Sequence, residues 1–192
     1  MKKRYGIAVV LIIAVISIGW LLLSDFELGN YDSFEEAVHK GIPYETKDVV
    51  HTQLVEGVTV VMYTTKPDRK SFPIADYDAL GVSFFVGDEK KGWKNIGPSG
   101  WDHYENPNFT MYVKRLFDAN QQGKVRHHFY VVYGEINNDE IAIMETKTNE
   151  TDPFKKATII SSEGKRYFLQ IGEEFIIRGL SKEGIVIDQQ GG

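Results

Sequence analysis

Hydrophobic and polar positions divide this chain into one long apolar run and a series of short alternating ones. Residues 7–23, IAVVLIIAVISIGWLLL, hold seventeen positions without a charge. Extended to residues 5–24, the run makes a helix of about 20 residues, roughly 30 Å long, which matches a bilayer core. Ile7, Leu11, Val15, Trp20 and Leu23 mark its apolar surface, and Tyr5 and Trp20 stand near its ends, where amphipathic rings favour the headgroup layer. Lys2, Lys3 and Arg4 precede the run and Asp25 and Glu27 follow it. The positive-inside rule then predicts a cytoplasmic stub at 1–4, a single-pass anchor at 5–24, a linker at 25–31 and an extracytoplasmic domain from 32 to 190. A cleaved signal peptide is the competing reading, with the protein secreted. The run is long for a signal core and lacks a small-x-small cleavage pattern.

Beyond the linker the period changes twice. Ser33 and Glu36 form a capping-box pattern, and Phe34, Ala37 and Val38 share a helical face, so 33–40 is predicted as a short amphipathic helix ended by Gly41 and Pro43. The rest alternates at period two. Segments 49–55 and 58–65 flank Glu56-Gly57, a hairpin spacing. Further strands are predicted at 80–86, 93–96, 109–117, 127–135, 141–147, 157–161, 167–171, 174–178 and 185–188. A short helix at 114–119 is the alternative for the end of the 109–117 segment. Segments 58–65 and 127–135 are apolar on both faces and should lie inside sheets. Short strands separated by glycine turns, with no crossover helices, predict a mainly β fold with minor α content. It would comprise a transmembrane helix, one short helix, and antiparallel strands in a sandwich- or barrel-like domain. Two sub-halves, 32–120 and 127–190, and one continuous fold are both compatible with this spacing.

Composition narrows the chemistry. The chain has no cysteine, so disulfides, thiolate metal sites and thiol nucleophiles are absent. The exported part carries 19 basic residues, the 22 of the whole chain less Lys2, Lys3 and Arg4, against 27 acidic ones. This negative balance argues against nucleic acid and against anionic surfaces as partners. No metal or other cofactor is predicted. HExxH, EF-hand, GxSxG and phosphate-loop patterns do not occur.

The densest cluster of candidate chemistry is 92–107, GWKNIGPSGWDHYENP. Trp93, Trp101 and Tyr104 could stack on a sugar or peptide, while Asp102, His103 and Glu105 could accept hydrogen bonds or run acid–base or metal chemistry. The competing reading puts the tryptophans in the core and the glycines in turns. The expected function is a non-catalytic binding module of the cell envelope that engages an envelope protein, a peptide or a glycan. Two alternatives remain open: an exported hydrolase or metal-dependent enzyme using 101–105, and an assembly factor acting through its anchor.

The basic N-terminus, single anchor, helix at 33–40, Gly92-Trp93, Tyr133-Gly134-Glu135-Ile136 and Ile141-Ala142-Ile143 together resemble uncharacterised membrane-anchored or exported proteins of Gram-positive bacteria. Segments 157–160, 166–168 and 179–188 are similar to immunoglobulin-like or related β-sandwich modules. The resemblance implies an envelope location and a sandwich-like C-terminal half, and it brings no known activity.

Overall fold

The computed structural model describes residues 31–67 and 72–192. The predicted stub and anchor lie outside the described residues. Among those described, no helix is long and apolar enough to cross a membrane. Tyr31–Gly192 forms a compact unit of its own, built from one short helix and three antiparallel sheets.

Helix α1 (Phe34–Gly41) starts where the capping pattern places it. The Ser33 hydroxyl accepts from Glu36 N at 3.1 Å, and the Glu36 carboxylate reaches back to Asp32 N at 3.2 Å. The first sheet contains β1 (Thr46–Val55), β2 (Val58–Thr65), β3 (Ala79–Asp88), β4 (Gly92–Asn95) and β5 (Gly100–Asp102). Its order is β1-β2-β3-β4, and β5 shares the β4 edge of β3. The β1–β2 hairpin turns on Glu56 and Gly57, both at positive φ (49° and 81°), the twist that a tight two-residue turn requires.

The second sheet has the order β10-β11-β7-β6, from β6 (Tyr112–Ala119), β7 (Val125–Ile136), β10 (Thr158–Ser162) and β11 (Lys165–Ile171). The third has the order β13-β12-β8-β9, from β8 (Ile143–Lys147), β9 (Lys155–Lys156), β12 (Ile176–Leu180) and β13 (Val186–Gln190). Residues 114–119 are therefore strand and not helix, because β6 pairs with β7 along its whole length. The stretch between the predicted strands 93–96 and 109–117, left without an element by its Gly, Pro and Asn content, also contains a strand, β5, which the pairing with β3 holds.

Three apolar clusters show how these layers meet. Val60, Met62, Val82 and Phe84 of the first sheet pack with Leu116, Val131, Tyr133 and Leu169 of the second. Val132 and Phe168 of the second sheet pack with Met144 and Ile177 of the third. Ala37 and Val38 of α1 cover Val61, Tyr63 and Phe85 on the first sheet. Alternation along β7 thus sends Val131 and Tyr133 to one layer and Val132 to another. This is why that strand reads as apolar on both faces. Each Val, Leu or Phe fully withdrawn from water contributes about 1.5–3 kcal/mol, so these clusters supply the main favourable term. Lateral polar contacts fasten the third sheet. Glu174, almost fully buried, accepts from the Thr146 hydroxyl and pairs with Lys155 at 3.2 Å. Arg178 meets Glu145 at 2.7 Å and lies 3.7 Å from the Phe154 ring centroid.

Candidate functional site

Both Gly-Trp pairs lie along one edge of β3. Trp93 stands opposite Gly87 and Trp101 opposite Gly81, about 20 Å apart at 3.3 Å per residue. Neither glycine has room for a side chain. A Cβ on Gly81 would approach the Tyr63 ring to 2.6 Å, and one on Gly87 would approach the Gly92 carbonyl to 2.1 Å. The structure therefore separates the two tryptophans.

Trp93 belongs to the helix end of the sheet. Its ring lies 4.9 Å from that of Phe34, and its backbone exchanges two 2.7 Å hydrogen bonds with Tyr31. Trp101 lies at the opposite end, where Phe72 meets it edge-on at 5.2 Å. The next two residues have different neighbours. The Asp102 carboxylate accepts from Lys114 Nζ at 3.0 Å and from the Tyr133 hydroxyl at 2.7 Å. The His103 ring stacks on Tyr77 at 3.6 Å, with planes 8° apart. Asp102 and His103 do not converge. Glu105 is exposed.

Tyr104 joins the segment to the other sheets. Its hydroxyl donates to Gln190 Oε1 at 2.8 Å and accepts from Met111 N, while its own N–H donates to the Tyr112 hydroxyl at 3.1 Å. Burial pushes the Tyr133 phenol well above its ordinary pKa, and the adjacent Asp102 charge acts in the same direction. A neutral phenol that donates to a carboxylate already paired with Lys114 is a fastening between the first two sheets.

A second segment reaches this end of the sheet from elsewhere in the sequence. Residues 72–78 lead into β3 and lay Phe72 on Trp101 and Tyr77 on His103. Ile74 is 96% exposed and Phe72 is 46% exposed. The edge-on contact of Phe72 with Trp101 thus joins a loop to strand β5, which no local pattern connects, and Ile74 is exposed two residues along the chain from Phe72. Its only sequence signal is an apolar Phe72-Pro73-Ile74 in a connection that is otherwise polar.

Two further arrangements bear on catalysis. A cleft of about 210 Å³ opens at the end of the paired strands β7 and β11, lined by Glu135, Asn137, Asp139, Lys165 and Arg166 among others. The Arg166 guanidinium there is engaged by the carbonyls of Ile141 and Asn138. Ser162 and Lys165 have a Ser-x-x-Lys spacing, but they face each other across the β10–β11 turn, without the helix on which that motif does chemistry. Among the described residues, no group of three or more His, Asp or Glu could hold a metal ion. No family model, curated protein or solved structure matches the chain.

Proposed function

We propose that this chain is a membrane-tethered, extracytoplasmic, non-catalytic binding module, a sandwich-like β scaffold that holds a protein partner of the envelope on Phe72, Ile74 and Trp101. The observation that carries the reading is Ile74, an aliphatic side chain almost wholly in water two residues along the chain from Phe72, which is itself half exposed and edge-on to Trp101. Large apolar groups clustered in water mark interaction sites. A protein suits this surface better than a glycan. Sugars need free ring faces, whereas Tyr77 and His103 cover one another. A branched aliphatic such as Ile74 fits an apolar side-chain pocket. The export half of the reading rests on the uncharged run at 7–23 behind three basic residues.

The patch is about 20 Å along β3 from the place where Tyr31 joins the sheet through Trp93. The test is a photo-crosslinking amino acid at position 74 of the full chain in intact cells. A discrete adduct, weakened by Trp101→Ala and missing when the probe is moved to Val186, is the expected result. The same adducts from both positions would refute the assignment.

A further inference from the structure

The second sheet ends on a strand with one open side. Among the described residues, β6 pairs with β7 and no strand is hydrogen-bonded to its other edge. Its Val113 and Phe117 are 41% and 54% exposed. Between them, Arg115 lies 5.3 Å from the Phe117 ring centroid and 5.7 Å from that of Tyr130, and its Nε donates to His128 Nε2 at 3.1 Å. Open edges usually carry charges that repel another strand. The charges of β6 are arranged differently.

We infer that β6 is a self-association edge, and that two copies of the chain join β6 to β6 antiparallel about a two-fold axis centred on Leu116. The order Val113-Lys114-Arg115-Leu116-Phe117-Asp118-Ala119 carries the proposal. In that register Lys114 of each copy faces Asp118 of the other, Arg115 faces Phe117, and Val113 faces Ala119. Each opposing pair is an ion pair, a cation–π pair or an apolar pair, the combinations that stabilise cross-strand neighbours. Both half-interfaces are identical, as a two-fold requires.

Neighbouring registers lose this match. Centring on Arg115 sets Arg115 against Arg115, and centring on Phe117 sets Leu116 against Asp118. Lys114 and Asp118 already hold Asp102 at 3.0 Å and Arg126 at 2.8 Å within one copy. In the two-fold arrangement the second copy sets a further opposite charge across from each. Joining the edges would make one eight-stranded sheet from two four-stranded ones.

The absence of native cysteine gives a clean test. Two differently tagged full-length chains, one Arg115→Cys and the other Phe117→Cys, are co-expressed and oxidised in their membranes. A mixed disulfide dimer should dominate, because the other half of that interface keeps its Arg115–Phe117 pair. The second measurement is co-purification of tagged copies after detergent extraction. Phe117→Arg should reduce recovery at least tenfold by opposing two arginines, and the exchange Arg115→Phe with Phe117→Arg should restore it. Absence of a mixed dimer, preferential disulfide formation by Arg115→Cys with itself, or failure of the exchange to restore recovery would each overturn the inference.

Discussion

Replacing Gly134 with alanine tests the layered packing at its tightest point. Gly134 lies within β7, the strand that serves both the first and the third sheets. A Cβ there would fall 1.9 Å from the Thr110 carbonyl oxygen and 2.8 Å from Phe168 Cε1. Ordinary contact begins near 3.4 Å, so one backbone must retreat by the difference, about 1.5 Å. Thr110 is not free to move. Its N–H donates to the Glu135 carbonyl at 2.9 Å, and its hydroxyl accepts from Glu135 N at 2.9 Å. Losing two such bonds costs about 2 kcal/mol at roughly 1 kcal/mol each. Overpacking against Phe168 adds about 1–3 kcal/mol. Gly134→Ala should therefore cost about 3–5 kcal/mol in urea unfolding of residues 31–192. Gly100→Ala is the internal control. Its nearest new neighbour is Lys114 Nζ at 3.5 Å, an ordinary contact, so its effect should lie between neutral and about 1 kcal/mol of stabilisation. A Gly134→Ala cost below about 1 kcal/mol, or equal costs for the two variants, would refute the packing described for β7.

Three further outcomes follow from the same contacts. Burial pushes the Tyr63 and Tyr167 phenols up to about 12, and burial likewise raises Tyr112 and Tyr133. Their stabilisation is fully present below about pH 10, the unfolded value, and is lost as pH rises through the folded values. Urea midpoints should fall steeply above about pH 10, and a midpoint flat to about pH 11 would contradict the burial. The Lys47 ammonium, 2.7 Å from Asp78, holds that carboxyl below its usual range. Its contribution is present above about pH 4 and lost as pH falls through the lowered value, so Asp78→Asn should flatten part of the acid limb by about 0.5 kcal/mol. Trp93→Ala should cost about 3 kcal/mol by emptying the space against Phe34, whereas Trp101→Ala should cost about 1 kcal/mol, and equal losses in thermal unfolding would argue against their separate placements.

The strands were largely readable because their signals are local. Glu56-Gly57 marks a hairpin by its two-residue spacing between alternating segments, and the apolar-on-both-faces pattern of 58–65 and 127–135 places β2 and β7 inside sheets. The Ser33 half of the capping box at 33–36 forms as the pattern reads, while Glu36 reaches back one residue further, to Asp32 N. Strand β5 was hidden because three residues, Gly100 to Asp102, are too few to show a period, and its pairing with β3 decides its state. Assignment of the later strands to two different sheets was equally hidden. It depends on β10 and β11 returning to β7, a contact made across an intervening stretch of chain. At the candidate site, the types of residue were visible and their company was not. Asp102 and His103 are adjacent in sequence but serve different neighbours, and the loop that meets Trp101 and His103 lies some 30 residues earlier. Single-sequence patterns carry no information on which distant loops meet.

The most direct measurement uses a single cysteine introduced by Ile74→Cys in the otherwise cysteine-free full-length chain. A maleimide that cannot cross membranes is added to intact cells, with Lys3→Cys as the cytoplasmic reference. The account predicts rapid labelling at position 74 without permeabilisation and labelling at position 3 only after it. Labelling of both positions only in permeabilised cells would contradict an extracytoplasmic domain that presents this surface to a partner.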